Sequence, residues 1–303
     1  LPDMNIVAEI KQLKAEKDAV ILAHNYQVPE IQDIADHCGD SLELARLSRG
    51  IDCSVLLFCG VLFMGETAKI LSPGKTVLMP RMDAGCPLAC MITPQQLQDL
   101  KARYPGVPVV CYVNSTAEIK ALSDVCCTSG NAVDLVRNMP QRTIIFVPDK
   151  NLGWWVQKNN PEKEIILWDG GCPIHEEYTV EEVRLARNAY PAAPVIVHPE
   201  CPRSVLEAAD HIASTAGMIK IAASSQATEF IVGTEEGMLH RLRCEYPGKT
   251  FYPLAASRIC PDMKKIALTD VRNSLRDEKF SVELDPVIMD KARRALEAMI
   301  AYV

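Results

Sequence analysis

Apolar and polar positions along the chain fall into blocks that recur in one order. Residues 4–17 carry apolar side chains at helical spacing, and Ala19-Val20-Ile21-Leu22-Ala23 follows as an apolar run of strand composition. Pro94–Arg103 followed by Pro108-Val109-Val110-Cys111 repeats that order. Val180–Ala189 followed by Pro194-Val195-Ile196-Val197 repeats it again. Strands that alternate with helices predict parallel sheets covered by helices.

The repetition reaches single residues. After the three strands come His24-Asn25-Tyr26-Gln27, Tyr112-Val113-Asn114-Ser115 and His198-Pro199-Glu200-Cys201. Twelve residues beyond His24, Tyr112 and His198 stand Asp36, Asp124 and Asp210; seventeen beyond stand Ser41, Ser129 and Thr215, each expected to open a helix. The turns Pro73-Gly74-Lys75-Thr76 and Pro247-Gly248-Lys249-Thr250 match 174 residues apart. Cys86, Cys172 and Cys260 fall 62, 60 and 62 residues beyond the same anchors, each after a strand-like run. A period of 86 to 88 residues is too long for a solenoid unit and suits a small α/β domain. The expected fold class is therefore α/β, with three homologous domains at 1–91, 92–178 and 179–265 related by pseudo-threefold symmetry. Segments 269–276, 280–284 and Pro286–Ala301 read as the start of a fourth copy that closes against the first domain.

Composition narrows the class. Apolar residues make up 48% of the 303 positions and charged residues 23%, a balance that supports a sizeable core. The net charge of −7 argues against a general nucleic-acid or anionic-membrane binder. The longest apolar run, 55–64, is half the ~20 residues a bilayer span needs. Leu1-Pro2-Asp3-Met4-Asn5 lacks the features of a signal peptide, so a cytoplasmic location is expected. Twelve cysteines without one C-x2-C pair exclude zinc ribbons, thioredoxin-like motifs and bacterial ferredoxin runs, so any metal ligands come from distant segments.

In parallel α/β sheets, ligands bind beyond the carboxyl ends of the strands. His24, Tyr26, Tyr112, His198 and Glu200 are the acid–base candidates there, and a closed pocket is expected to raise the Glu200 pKa toward neutrality. Ser41, Ser129 and Thr215 are placed at helix N-termini, either as caps or as three anion cradles around one axis. Cys86, Cys172 and Cys260 would meet on that axis, where three thiolates suit a zinc ion, with His175 the nearest fourth ligand, or three irons of a [4Fe–4S] cluster. Cys90 is an alternative ligand without a counterpart in the other copies. The nine other cysteines, Cys90 and Cys244 among them, are assigned mainly to packing in the core and around the site. His37, His211 and His240 are read as structural residues on helical or helix-flanking segments, and Trp154-Trp155 as inter-domain packing.

The strand-end motifs, together with Gly39-Asp40-Ser41-Leu42-Glu43-Leu44-Ala45, Glu66-Thr67-Ala68-Lys69-Ile70-Leu71 and Pro148-Asp149-Lys150-Asn151-Leu152, resemble the quinolinate synthase family over almost the whole chain. The resemblance implies a triplicated αβα sandwich with a [4Fe–4S] cluster at the junction, held by Cys86, Cys172 and Cys260 with one iron open. It implies a transferase of NAD biosynthesis that condenses iminoaspartate with dihydroxyacetone phosphate, in transient contact with the aspartate-oxidising enzyme that supplies the imine. His24, Ser41, Tyr112, Asn114, Ser129, His175, His198, Glu200 and Thr215 then contact substrate, with Tyr26 an acid/base beside them. Ser257-Arg258-Ile259-Cys260 lacks the extra thiols that some bacterial relatives carry, so no redox switch is expected there. Two other readings remain open at this point: another [4Fe–4S] hydro-lyase acting on a small carboxylate, and a non-catalytic metal or Fe–S sensor.

Overall fold

The apolar runs become strands, and the strands form three separate four-stranded sheets. The computed structural model describes residues 2–256 and 258–301, so Leu1 and Ser257, quoted above, lie outside the described residues. The first unit runs α1 (Pro2–Glu16), β1 (Ala19–His24), α2 (Pro29–Ile34), β2 (His37–Gly39), α3 (Ser41–Gly50), β3 (Val55–Cys59), α4 (Leu62–Leu71) and β4 (Thr76–Leu78). The second runs α5 (Pro94–Arg103), β5 (Val109–Tyr112), α6 (Ala117–Leu122), β6 (Val125–Cys127), α7 (Ala132–Asn138), β7 (Thr143–Val147), α8 (Lys150–Asn159) and β8 (Glu164–Leu167). After α9 (Pro173–Glu176), the third runs α10 (Val180–Ala189), β9 (Val195–Val197), α11 (Arg203–Ala208), β10 (His211–Ile212), α12 (Thr215–Ser224), β11 (Glu229–Gly233), α13 (Gly237–Glu245) and β12 (Thr250–Pro253). The chain ends in α14 (Leu268–Asp277) and α15 (Pro286–Ala301).

All three sheets are parallel and share one order: β2-β1-β3-β4, β6-β5-β7-β8 and β10-β9-β11-β12. From the first strand of each unit the chain crosses to one side, and then returns to the other. The gap between the first and third strands is thus the topological switch point where α/β sheets bind ligands. Both faces of the first sheet are apolar, as helix cover on both sides requires. Ile21, Ala23 and Leu57 pack with Ile10 of α1, Ile31 of α2 and Leu275 of α14, while Leu22, Leu56 and Phe58 pack with Leu44 of α3 and Ala68 of α4.

The repeated aspartates do the same work three times. Asp36, Asp124 and Asp210 accept hydrogen bonds from Ile21 N, Val109 N and Val195 N at 2.8, 2.8 and 2.7 Å, and so fasten each short second strand to the first. Lysine caps recur as well. Lys75 Nζ donates to Ser48 O at 3.0 Å, Lys163 Nζ to Gln141 O at 3.0 Å and Lys249 Nζ to Ala222 O at 2.6 Å, each beside the C-terminal end of α3, α7 or α12, where carbonyls lack helical partners. The second strands β2 and β10 hold His37 and His211, which the sequence reading put on helical or helix-flanking segments; each strand lies between two helices. These strands have only three and two residues, too few to show an alternation. Helix α7 starts at Ala132 rather than Ser129, because Asn131 Oδ1 accepts from Thr128 N at 2.7 Å and holds a turn ahead of it.

The units meet along three seams. Between the first and second, Glu66 of α4 accepts from Ala117 N at 3.0 Å at the start of α6. The buried Lys120 beside it donates to Ser115 O at 2.7 Å. Helix α15 packs on α6 and β6 as well as on α4, while α14 packs on α1 and Val282 N donates to Val77 O of β4 at 2.8 Å. Trp154 and Trp155 of α8 pack on the core of the third unit. Between the third and first, Gln32 Nε2 donates to Gly237 O at 3.0 Å, and a Cβ on Gly237 would lie 2.8 Å from the Tyr26 carbonyl. None of the described helices is long and apolar enough to cross a membrane.

Asp124→Ala should lower stability by roughly 1 kcal/mol, the loss of one hydrogen bond to a backbone N–H. The expected readout is a lower melting temperature with the parallel sheet content unchanged by circular dichroism.

Candidate active site

The carboxyl ends of the three sheets open onto one cavity of about 70 Å³, continuous with solvent. Every residue expected at the site lines it. His24, Tyr26, Tyr112, Asn114, His198 and Glu200 come from the turns after β1, β5 and β9, and Ser41, Ser129, Thr215 and His175 stand beside them. Cys86, Cys172 and Cys260 come from the loops after β4, β8 and β12. Val61, Phe63, Met64, Ile174 and Met263 add an apolar stretch of wall, and Asp40, Thr128 and Glu235 also line it.

Glu200 is the hub of the polar groups, with 3% of its surface exposed. Its Oε1 accepts from Tyr112 OH at 2.7 Å and from Asn114 Nδ2 at 3.3 Å, and its Oε2 lies 2.8 Å from His175 Nδ1. A carboxylate only accepts, so His175 carries its proton on Nδ1, and Nε2 accepts from Thr234 Oγ1 at 2.9 Å. Tyr26 OH lies 2.6 Å from the same Thr234 oxygen. An unbroken chain therefore runs from Tyr26 through Thr234 and His175 to Glu200. The backbone positions Glu200 too, since Asn151 Nδ2 donates to its carbonyl at 3.0 Å.

The electrostatics correct one expectation. Burial alone would raise the Glu200 pKa, but the neighbouring imidazoles of His198 and His175 and the hydrogen bonds from His175 and Tyr112 outweigh it, so the carboxyl is held below its ordinary value. Burial raises Tyr26 and Tyr112 well above the ordinary phenol value, with Glu200 adding to the shift. Burial brings His24 and His198 down to about 3 against the opposing pull of Glu200. Both imidazoles accept on Nδ1 from the backbone N–H two residues on, at 3.1 and 3.4 Å, and so keep Nε2–H. At neutral pH the cavity thus holds an ionised carboxylate, protonated phenols and neutral imidazoles.

None of Ser41, Ser129 and Thr215 is a cap. Asp40 caps α3 by accepting from Leu42 N and Glu43 N, and Ser214 caps α12 by accepting from Gly217 N. Ser129 Oγ lies 3.2 Å from His198 Nε2, and Thr215 Oγ1 accepts from Asn25 Nδ2 at 2.9 Å, both across unit boundaries. The three N-termini are not equivalent anion cradles, because α3 carries its own carboxylate where an anion would sit.

The donor set fits an iron–sulfur or zinc centre. The three half-buried thiols are held as neutral thiols by burial, Cys86 up to about 12, so a metal would have to displace their protons. Cys90 is exposed and lies off the cavity wall. Cys244, assigned above to packing in the core and around the site, is exposed at the surface end of α13. Glu235 was not singled out in the sequence. It accepts from Cys260 N at 3.1 Å and pairs with Lys264 Nζ at 2.9 Å, which fixes the third cysteine loop.

Fold and cavity together define a triplicated α/β enzyme with three thiols set against an acid–base network. Comparison with known proteins narrows this. The family described as quinolinate synthetase A protein matches residues 8–301. The chain is 50% identical over 297 residues to a quinolinate synthase of Thermodesulfovibrio yellowstonii, covering 98% of each. It is 50% identical over 293 residues to one of Methanoregula boonei, covering 97% of each, and 51% over 292 to one of Dehalococcoides mccartyi, covering 96% of each. The chain belongs to the quinolinate synthase family.

Thr234→Val keeps the shape of the side chain but removes the hydroxyl shared by Tyr26 and His175. It should cost about 1–3 kcal/mol, because two buried polar groups lose a partner. Thr234→Ser should restore most of the melting temperature.

Proposed function

We propose that this chain condenses iminoaspartate with dihydroxyacetone phosphate to form quinolinate, phosphate and two waters for NAD biosynthesis. The observation that carries the reading is one cavity that joins three thiols, one from each repeat, to the Glu200 network. The reaction balances without an oxidant and needs several proton transfers. A sensor has no use for such a network, and turnover of both substrates separates the reading from a hydro-lyase acting on a single carboxylate.

On this reading each of the domains 1–91, 92–178 and 179–265 contributes one ligand, Cys86, Cys172 or Cys260, to a [4Fe–4S] cluster. When bound, the cluster supplies an open iron as a Lewis acid toward a substrate oxygen. The side chains do the rest. Glu200 is the ionised end of the network, and His175 and Thr234 join it to Tyr26, a protonated phenol that gives its proton to substrate. Tyr112 and Asn114 orient Glu200, while His24 and His198 offer neutral Nε2–H donors to substrate oxygens. The substrate anions are drawn toward Ser129 and Thr215 rather than Ser41, because Asp40 repels them at α3. Iminoaspartate is an imine that water hydrolyses, so we propose supply in the cytoplasm by transient contact with an aspartate-oxidising enzyme.

Protein purified without air should be brown, with about four irons per chain. Cys86→Ala, Cys172→Ala and Cys260→Ala should each lose that iron, whereas Cys90→Ala should keep it. Full iron in Cys86→Ala would refute the ligand set. Glu200→Gln should keep iron content and melting profile but turn over ~10²-fold or more slowly, the scale of lost acid–base work. Turnover close to the unaltered protein would reduce Glu200 to a positioning role.

A further inference from the structure

The seam between the third and first units carries a cluster of donors remote from the cavity. We propose that Asp33, His240 and Cys244 form a second metal site for a divalent ion of the zinc class, clamping α13 to α2. His240 and Cys244 are four residues apart on α13 and so share one face, while Asp33 faces them from α2. His240 Nε2 lies 2.8 Å from Asp33 Oδ1 and 3.6 Å from Cys244 Sγ, and the three donor atoms all lie within 4.8 Å of one another.

The separations suit tetrahedral zinc once the imidazole turns, since Cys244 Sγ lies 3.6 Å from Nε2 and 4.0 Å from Nδ1. With Zn–N about 2.0–2.1 Å and Zn–S about 2.3 Å, nitrogen and sulfur sit about 3.6 Å apart. Nitrogen and carboxylate oxygen sit about 3.3 Å apart, so Asp33 need withdraw only about half an ångström. Thiolate with imidazole selects the zinc class over magnesium or calcium. A plain His240–Asp33 ion pair explains two of the groups and leaves the exposed Cys244 without a purpose. All three residues are at least partly exposed, and His240 borders an open groove lined also by Pro29, Leu239 and Arg243, so an ion has a path in and a water can complete its shell.

The position gives the ion its effect. Within the same seam Gln32 holds Gly237 O, and Lys264 Nζ donates to Tyr26 O at 2.5 Å. An ion joining α2 to α13 would stiffen the turn that carries Tyr26 into the cavity.

The test uses cluster-loaded protein, equilibrated with Zn2+ without air, passed through gel filtration and counted for zinc and iron. The unaltered protein should retain about one zinc per chain beyond its iron, and zinc should raise its melting temperature. Cys244→Ser, His240→Gln and Asp33→Asn should retain less than a tenth as much zinc with iron content unchanged, and should lose the thermal shift. No retained zinc in the unaltered protein, or equal zinc in Cys244→Ser and His240→Gln, overturns the proposal.

Discussion

A carboxylate taken out of water must be met by donors, and that requirement at Glu200 organises the junction of the three units. Its side chain is answered by Tyr112 and Asn114 from the second unit and by His175 from the segment leading into the third. Its carbonyl is answered by Asn151 of α8. The third unit can dock on the second only in the orientation that brings these donors to it. The first unit joins through Tyr26 and Thr234, so the same chain of hydrogen bonds that sets protonation also sets the relative placement of the sheets.

That chain also fixes which groups can give protons and which can take them. Burial pushes the phenols up and the imidazoles down, each toward the neutral form. Glu200 keeps its charge among them, because its partners favour the ionised form more than burial opposes it. The three thiols are neutral by burial, so any metal bound to them would have to displace their protons. The acid–base groups of the cavity are thus neutral apart from Glu200, while Asp40 and the Lys264-paired Glu235 stand at its edge.

The parallel sheets, the three copies and the wall of the cavity were legible because they rest on residues repeated at constant offsets. Asp36, Asp124 and Asp210 recur since every second strand needs the same tie. What escaped reading were positions equivalent in space but not in chemistry. Gly60, Pro148 and Thr234 all stand 36 residues beyond their anchors, and Val61, Asp149 and Glu235 stand one further on. Only the third copy places a hydroxyl and a paired carboxylate there, so no repeat of residue type marks them. The charge state of Glu200 was misjudged for a related reason: pocket closure was visible in the pattern, whereas the three side-chain partners that reach it from distant segments were not. Burial of cysteines was read from type alone, and Cys90 and Cys244 show that a thiol on a short turn or a helix end need not follow it.

The residues two places beyond the anchors are Tyr26, Asn114 and Glu200, one around each third of the axis. A ring of three identical chains would have to present the same side chain three times, and three carboxylates facing one another could not all stay ionised. Joining the copies in one polypeptide releases them from that identity. One copy can place a phenol there, another an amide and the third a carboxylate, while the backbone beneath them stays the same. The symmetry belongs to the scaffold, and the chemistry comes from breaking it.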